Sequence, residues 1–323
     1  MIMKIEDLKY EMTATVVDEQ SWEKEKWRRE NPMDYLKALY LMLSSSDWVQ
    51  GVPREIAIRT AFEAIYKVTR AHIPDVLYKY YSLTNDKCLN EKKLDTLQRM
   101  QIYMSDIKDF NDPFDGKAFY YNPEELRNTE PLSSSGGRLI DDFTVFHKGT
   151  ALTENDMNCM PMWAHYSNNH EGYCVAYDMR EPKNLPFSAC TFPVQYTEQR
   201  LDITSYMKNY ATAISTEIDS QISKGNKQIL INDFSLIYLA QYLCNVKHLS
   251  WQYEREFRCT MGAKAEGMPY TEAIPKAIYV GMKCNEEHEE KLIEIARQQM
   301  IPIYKMKFVD VSEDYILEAQ LIE

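Results

Sequence analysis

The stretch WQYEREFR, residues 251–258, has the alternation of a β-strand. Trp251, Tyr253, Arg255 and Phe257 fall on one face of a period-2 ladder, and Gln252, Glu254, Glu256 and Arg258 on the other. Side chains two apart on a strand project the same way, about 6.6 Å apart along it. Glu254 and Glu256 are therefore expected to reach one ligand while Arg258 supplies a counter-charge. Paired carboxylates suit chemistry at a sugar carbon, where one grips hydroxyls and the other stabilises positive charge at the anomeric centre. The same spacing recurs at Glu23/Glu25 and Glu287/Glu289 in a chain with 49 acidic residues, so the pattern alone equally describes a solvated edge.

Outward from this stretch, short β-branched or aromatic runs alternate with helical ones. Strands are expected at VLYKYYS (76–82), QIYMS (101–105), FTVFHK (143–148), GYCVAYD (172–178), FPVQYT (192–197), EFRCTM (256–261), AIYVG (277–281) and IYKMKF (303–308). Helices are expected over 202–224, stopping at Gly225, over 232–248, apolar on more than one face, and over 286–300, acidic at its start. Irregular alternation of this kind points to an α+β fold with mixed or antiparallel sheets. No GxGxxG or P-loop occurs, which removes the main support for Rossmann and kinase-type nucleotide sites. The segment 115–142 reads as a long irregular loop, with SSSGG at 133–137 at its flexible part.

Residues 1–75 have a different texture. Apolar stripes after Pro32 and after Pro53 predict two helices in an N-terminal extension, ahead of an α+β domain over 76–323.

The chain has 323 residues, 45% hydrophobic and 27% charged, which suits one large or two modest globular domains. The net charge of −12 argues against general nucleic-acid binding. Seven cysteines with no C-x-x-C spacing suit reduced thiols, and the cytoplasm is the expected compartment. No apolar run approaches the ~18 residues of a membrane-spanning helix.

Three further runs carry chemistry-bearing residues. In LYKYYSL (77–83), alternation separates Tyr78, Tyr80 and Ser82 from Lys79 and Tyr81, rings that either stack on a ligand or fill a core. In FNDPFDG (110–116), Asp112 is held extended by Pro113. Asn111 and Asp112 then either cap neighbouring backbone or offer an amide and a carboxylate to a ligand. In MWAHYSNNHEGYCVAYD (162–178), Trp163, His165 and Tyr166 lie on a short helix expected to end at Gly172. His147, His165 and His170 are the candidates for a metal site, although no standard ligand spacing is present.

Taken in order, LYKYYSL, FNDPFD, MWAHY with its following glycine, PVQYTE, the run from Lys247 through WQYEREFR, and AIYVG resemble a bacterial family catalogued as domain of unknown function 2971. The resemblance spans roughly residues 76–308. The family's first block usually reads YKYRS, and Tyr81 stands here in place of its arginine. More distantly, the order of blocks is similar to the ADP-ribosyltransferase fold, in which NAD lies between two small split sheets. That similarity implies Glu256 holding the nicotinamide ribose and stabilising its oxocarbenium-like state, with Glu254 orienting the acceptor. It further implies a cofactor-binding set of Tyr78, Lys79, Tyr80, Tyr81, Asn111, Asp112, Trp163, His165, Tyr166 and Arg258. The expected function is then cleavage of the nicotinamide N-glycosidic bond of NAD, with ADP-ribose passed to a macromolecular acceptor or to water, as in a toxin or phage-defence effector. Two other readings stand beside it: a non-catalytic ligand-binding or interaction module, and a metal-dependent hydrolase.

Overall fold

The computed structural model describes residues 73–139, 145, 147–229, 235–262 and 269–322. The expected N-terminal helices fall outside them, as do half of FTVFHK and the start of the expected 232–248 helix.

In chain order the elements are β1 (Val76–Tyr81), α1 (Lys87–Gln98), β2 (Gln101–Tyr103), β3 (Ser105–Asp106), β4 (Phe119–Tyr120), α2 (Pro123–Leu126), β5 (His147–Thr153), α3 (Met160–Tyr166) and β6 (Tyr173–Asp178). There follow α4 (Leu185–Ala189), β7 (Thr191–Pro193), β8 (Gln195–Thr197), β9 (Leu201–Asp202), α5 (Thr204–Ser223), α6 (Ser235–Leu243) and β10 (Val246–His248). A 3-10 turn (Leu249–Glu254) leads into β11 (Glu256–Gly262), then β12 (Tyr270–Glu272), β13 (Pro275–Val280), α7 (Glu286–Gln299), β14 (Ile303–Phe308) and β15 (Leu317–Leu321). The fold is α+β with a mixed, largely antiparallel sheet.

These elements divide into two compact units, each made of separated stretches of chain. One comprises Ile73–Ser105, Lys148–Phe192 and Ser250–Glu323. Its strands join a nine-stranded sheet of order β15-β14-β13-β6-β1-β5-β11-β7, with β3 also paired to β5. The motif strands β1, β6, β11 and β13 thus lie in one sheet, and not in the two small split sheets that the distant resemblance implied. β1 runs antiparallel to β6 and β13 parallel to β14.

Both faces of this sheet are apolar, which is why β6 reads as the unbroken run YCVAY. On one face Leu77, Tyr173, Val175, Tyr177, Ile278 and Val280 pack with Leu94 and Leu97 of α1 and Leu292 and Ile295 of α7. On the other, Tyr80 and Cys174 pack with Met162 and Trp163 of α3 and with Met306 and Leu317. Each such fully buried side chain contributes about 1.5–3 kcal/mol. The α7 helix begins at an Asn285 cap that accepts from the His288 N–H, carries Glu286, Glu287 and Glu289 in its first turn and Arg297 in its last.

The MWAHY helix is shorter than the sequence suggests. It ends at Tyr166, and Asn168, Asn169 and His170 then all take left-handed conformations, φ 53°, 54° and 73°. The chain tightens here because the next turn is packed backbone to backbone. A Cβ on Gly172 would lie on the Tyr81 carbonyl, and one on Gly281 on the His170 carbonyl.

The second unit, whose described residues lie within Asp106–His147 and Pro193–Leu249, pairs β4 with β9 and β8 with β10, both parallel. Its long helix α5 ends ahead of Gly225, left-handed at φ 76°, as its sequence predicts. Among its described residues, the irregular segment 115–142 holds only short elements: β4, α2 and a 3-10 turn at Leu132–Ser135.

Candidate functional site

WQYEREFR is not one strand. Residues up to Glu254 form the 3-10 turn, Arg255 is left-handed at φ 47°, and β11 starts only at Glu256. The break is imposed from the end of β5, whose last residue and its two successors bond three consecutive carbonyls. The Asn155 side-chain amide donates to the Tyr253 carbonyl (2.8 Å), the Thr153 hydroxyl to Glu254 (2.6 Å) and the Glu154 N–H to Arg255 (3.1 Å). A left-handed arginine is unfavourable in isolation, at a cost of order 1–3 kcal/mol, and persists where surrounding bonds fix it. Its exposed side chain pairs with Glu154 at 3.4 Å.

Glu254 and Glu256 therefore do not share a strand face, although both are buried, at 3% and 5% exposure. Glu256 lies two residues before Arg258 on β11, on the same face, and the two are joined in bidentate fashion. The Arg258 Nε donates to one carboxylate oxygen at 2.6 Å and a terminal nitrogen to the other at 3.1 Å. Arg258 has no solvent exposure. Glu254 accepts a hydrogen bond from the Tyr166 hydroxyl.

The aromatic candidates have structural partners of their own. Trp163 is fully buried, donates its indole N–H to the Met157 carbonyl (2.8 Å) and meets Tyr80 edge-on at 5.1 Å. The Tyr80 hydroxyl donates to the Asp156 carbonyl, and burial pushes that phenol far up. Tyr78 lies 6.4 Å from Tyr279. Tyr81 stacks on Tyr173 at 4.8 Å and 11°, and the Lys79 ammonium lies 5.3 Å from the Tyr81 ring centre. Tyr81 thus has a stacking partner in Tyr173, and Tyr80 an edge-on partner in Trp163. Lys79 donates to the Ala151 carbonyl (3.1 Å), and burial lowers its ammonium to about 8 against the opposing pull of Glu256.

What faces outward is a set of rings. His165 is exposed, its Nδ1 3.2 Å from the hydroxyl of Tyr253, and its ring is edge-on to Tyr253 at 5.9 Å and to Tyr166 at 6.4 Å. Half-buried Trp251 lies 6.4 Å from Tyr253, itself 41% exposed. These rings rim the buried Glu254. Alternation puts Trp251 and Tyr253 on one strand face with Arg255 and Phe257, whereas the 3-10 turn takes them off the strand altogether. Thr153, Glu154 and Asn155, which set that turn, carry no local signal in the sequence.

Asn111 and Asp112 belong to the other unit. Asn111 is exposed, and Asp112 is 4% exposed with Oδ1 accepting from the Phe114 N–H (2.9 Å), an Asx turn of the capping kind. His147 also belongs to that unit, and burial lowers its imidazole to about 4. Among the described residues, no cluster of three or more His, Cys, Asp or Glu is arranged to hold a metal. The described cysteines are free thiols, and burial raises those of Cys174 and Cys259. No described helix is long and apolar enough to cross a membrane.

Against models of known families, residues 162–259 match a family described as a protein of unknown function, DUF2971. No curated protein and no solved structure matches the chain. The match takes in MWAHY, Gly172 and WQYEREFR and is narrower than the expected 76–308, leaving LYKYYSL and FNDPFD outside it. It takes in His165 and Tyr166 of α3 and Trp251, Tyr253 and Glu254 of the 3-10 turn, together with β6 and the first part of β11.

Proposed function

We propose that this chain is a non-catalytic ligand-binding or interaction module, whose recognition surface is the rim of His165, Tyr166, Trp251 and Tyr253 around Glu254. The observation that carries the reading is the commitment of both carboxylates: Glu256 to a bidentate bond with a fully buried Arg258, Glu254 to the Tyr166 hydroxyl. A carboxylate that is to stabilise a developing oxocarbenium needs a lobe turned to substrate, and a bidentate ion pair this deeply buried opposes that use. Exposed rings with polar tips are the usual equipment of a recognition surface. Incubation of the full chain with NAD, with and without EDTA, tests the reading through free nicotinamide. No release is expected. Chelator-insensitive release that disappears in Glu256→Gln overturns the proposal in favour of NAD cleavage, and chelator-sensitive turnover overturns it in favour of metal chemistry.

The NAD reading has one feature in its favour, the grouping of Glu254, Glu256, Lys79 and Tyr166 in a single unit. It requires the nicotinamide ribose to displace Arg258 from Glu256. Transfer of ADP-ribose to a macromolecule, and the toxin or phage-defence role that goes with it, depend on that displacement.

A further inference from the structure

We propose that β15 is the pairing edge of a two-fold homodimer, in which a second copy of this chain continues the nine-stranded sheet. Among the described residues, β15 stands at the end of the strand order, with β14 as its neighbour. The strand and its flanks read Ile316-Leu317-Glu318-Ala319-Gln320-Leu321-Ile322, the same in both directions except that Gln320 answers Glu318. A sequence of this kind is its own antiparallel complement.

The backbone parity agrees with the palindrome. The Val309 N–H donates to Ile316 (3.2 Å) and the Ile322 N–H to Ile303 (2.9 Å), in the register that sets Lys307 opposite Glu318 and Lys305 opposite Gln320. In an antiparallel ladder alternate residues point their N–H and C=O to the same side. Ile316, Glu318, Gln320 and Ile322 thus turn theirs toward β14, and Leu317, Ala319 and Leu321 turn theirs away from it. A two-fold axis at Ala319 sets Ala319 against the partner's Ala319 and Leu317 against the partner's Leu321, each an outward-pointing residue facing another. An axis half a residue away would oppose an outward residue to an inward one.

Side chains fit the same axis. Glu318 meets the partner's Gln320, so no like charges oppose, and Ile316 meets the partner's Ile322. The edge carries no proline, lysine or bulge, and its one charge, Glu318, has Gln320 opposite it in this pairing. Exposed apolar side chains extend the strip at both ends: Phe308, Val311 and Tyr315 by the β14–β15 turn, and Leu321 and Ile322 at the other end. The two-fold brings the first group of one copy to the second group of the other. Specific dimers bury about 1,600 Å² in total, more than a five-residue strand supplies, so these flanking side chains complete the interface.

Sedimentation velocity of the full chain over a wide concentration range tests this, with a reversible dimer expected. Ala319→Pro removes an N–H that does not bond β14, and is expected to give a monomer with an unchanged circular dichroism spectrum. Gln320→Glu sets like charges opposite each other twice across the axis. It is expected to raise the dimer Kd by about 2- to 30-fold, with recovery on adding Glu318→Gln to the same chain. If Ala319→Pro fails to fold, the charge exchange alone decides. A chain that stays monomeric at every concentration overturns the proposal, including the case where this edge serves another protein. So does a dimer indifferent to the charge exchange, which would use a different surface.

Discussion

Removing one partner of the Glu256–Arg258 pair should destabilise the protein far more than removing both. At an effective dielectric near 20, opposite charges about 4 Å apart attract by about 4 kcal/mol. Arg258 is fully buried and Glu256 nearly so, so neither charge recovers solvation when its partner is lost. Breaking such a pair from one side costs about 3–5 kcal/mol, whereas replacing both members with apolar residues of similar volume is often neutral or stabilising. Glu256→Leu and Arg258→Met are each expected to lose about 3–5 kcal/mol, and the double variant to recover at least about 2 kcal/mol of their sum. Urea unfolding followed by both tryptophan fluorescence and circular dichroism measures the cycle, and coincident transitions license the two-state treatment. Single variants that each cost under about 1 kcal/mol, or costs that simply add, would refute the assignment of this pair as a structural element.

Tyr166→Phe deletes the donor to the buried Glu254 carboxylate and should cost about 1.5–3 kcal/mol in the same assay, with the secondary structure retained. Gly172→Ala drives a methyl into the Tyr81 backbone and should abolish soluble expression or cost more than about 3 kcal/mol. Gly262→Ala, with open space around it, serves as the control and should stay within about 1 kcal/mol. His147 has its folded pKa depressed to about 4 from the usual 6.5, so the unfolded chain takes up a proton first as pH falls. The stability present above pH 6.5 should decline by about 1.4 kcal/mol per pH unit down to about pH 4, and His147→Phe should flatten that slope in urea midpoints measured across the range.

Much of the fold was legible because the strands of the large sheet are short runs rich in aromatic and β-branched residues. VLYKYY, YCVAYD, EFRCTM and AIYV all became strands within a residue or two of their expected bounds. The site was less legible, since its shape depends on bonds from distant residues. Nothing local to Arg255 announces a left-handed residue: the carbonyl anchors from Thr153 to Asn155 lie about a hundred positions earlier. Once Arg255 is turned, the alternation of WQYEREFR no longer maps onto two strand faces, and Tyr253 is left exposed. Arg258 illustrates a second limit. A Glu-x-Glu-x-Arg pattern describes a solvated face as readily as a buried pair, and only tertiary packing separates them. The β15 strand was missed although Leu317, Ala319 and Leu321 alternate, because five residues give too weak a period against the acidic, loop-like run before them.

As a structural pair, Glu256 is held by Arg258 irrespective of ligand, and the Arg258 Nε–H reports on that bond directly. In the full chain with isotopically labelled arginine, one side-chain Nε–H resonance should be strongly protected from solvent exchange. It should be absent or unprotected in Glu256→Gln and unchanged by saturating NAD. Loss of that protection on adding NAD, with the carboxylate released toward the ligand, would contradict the account.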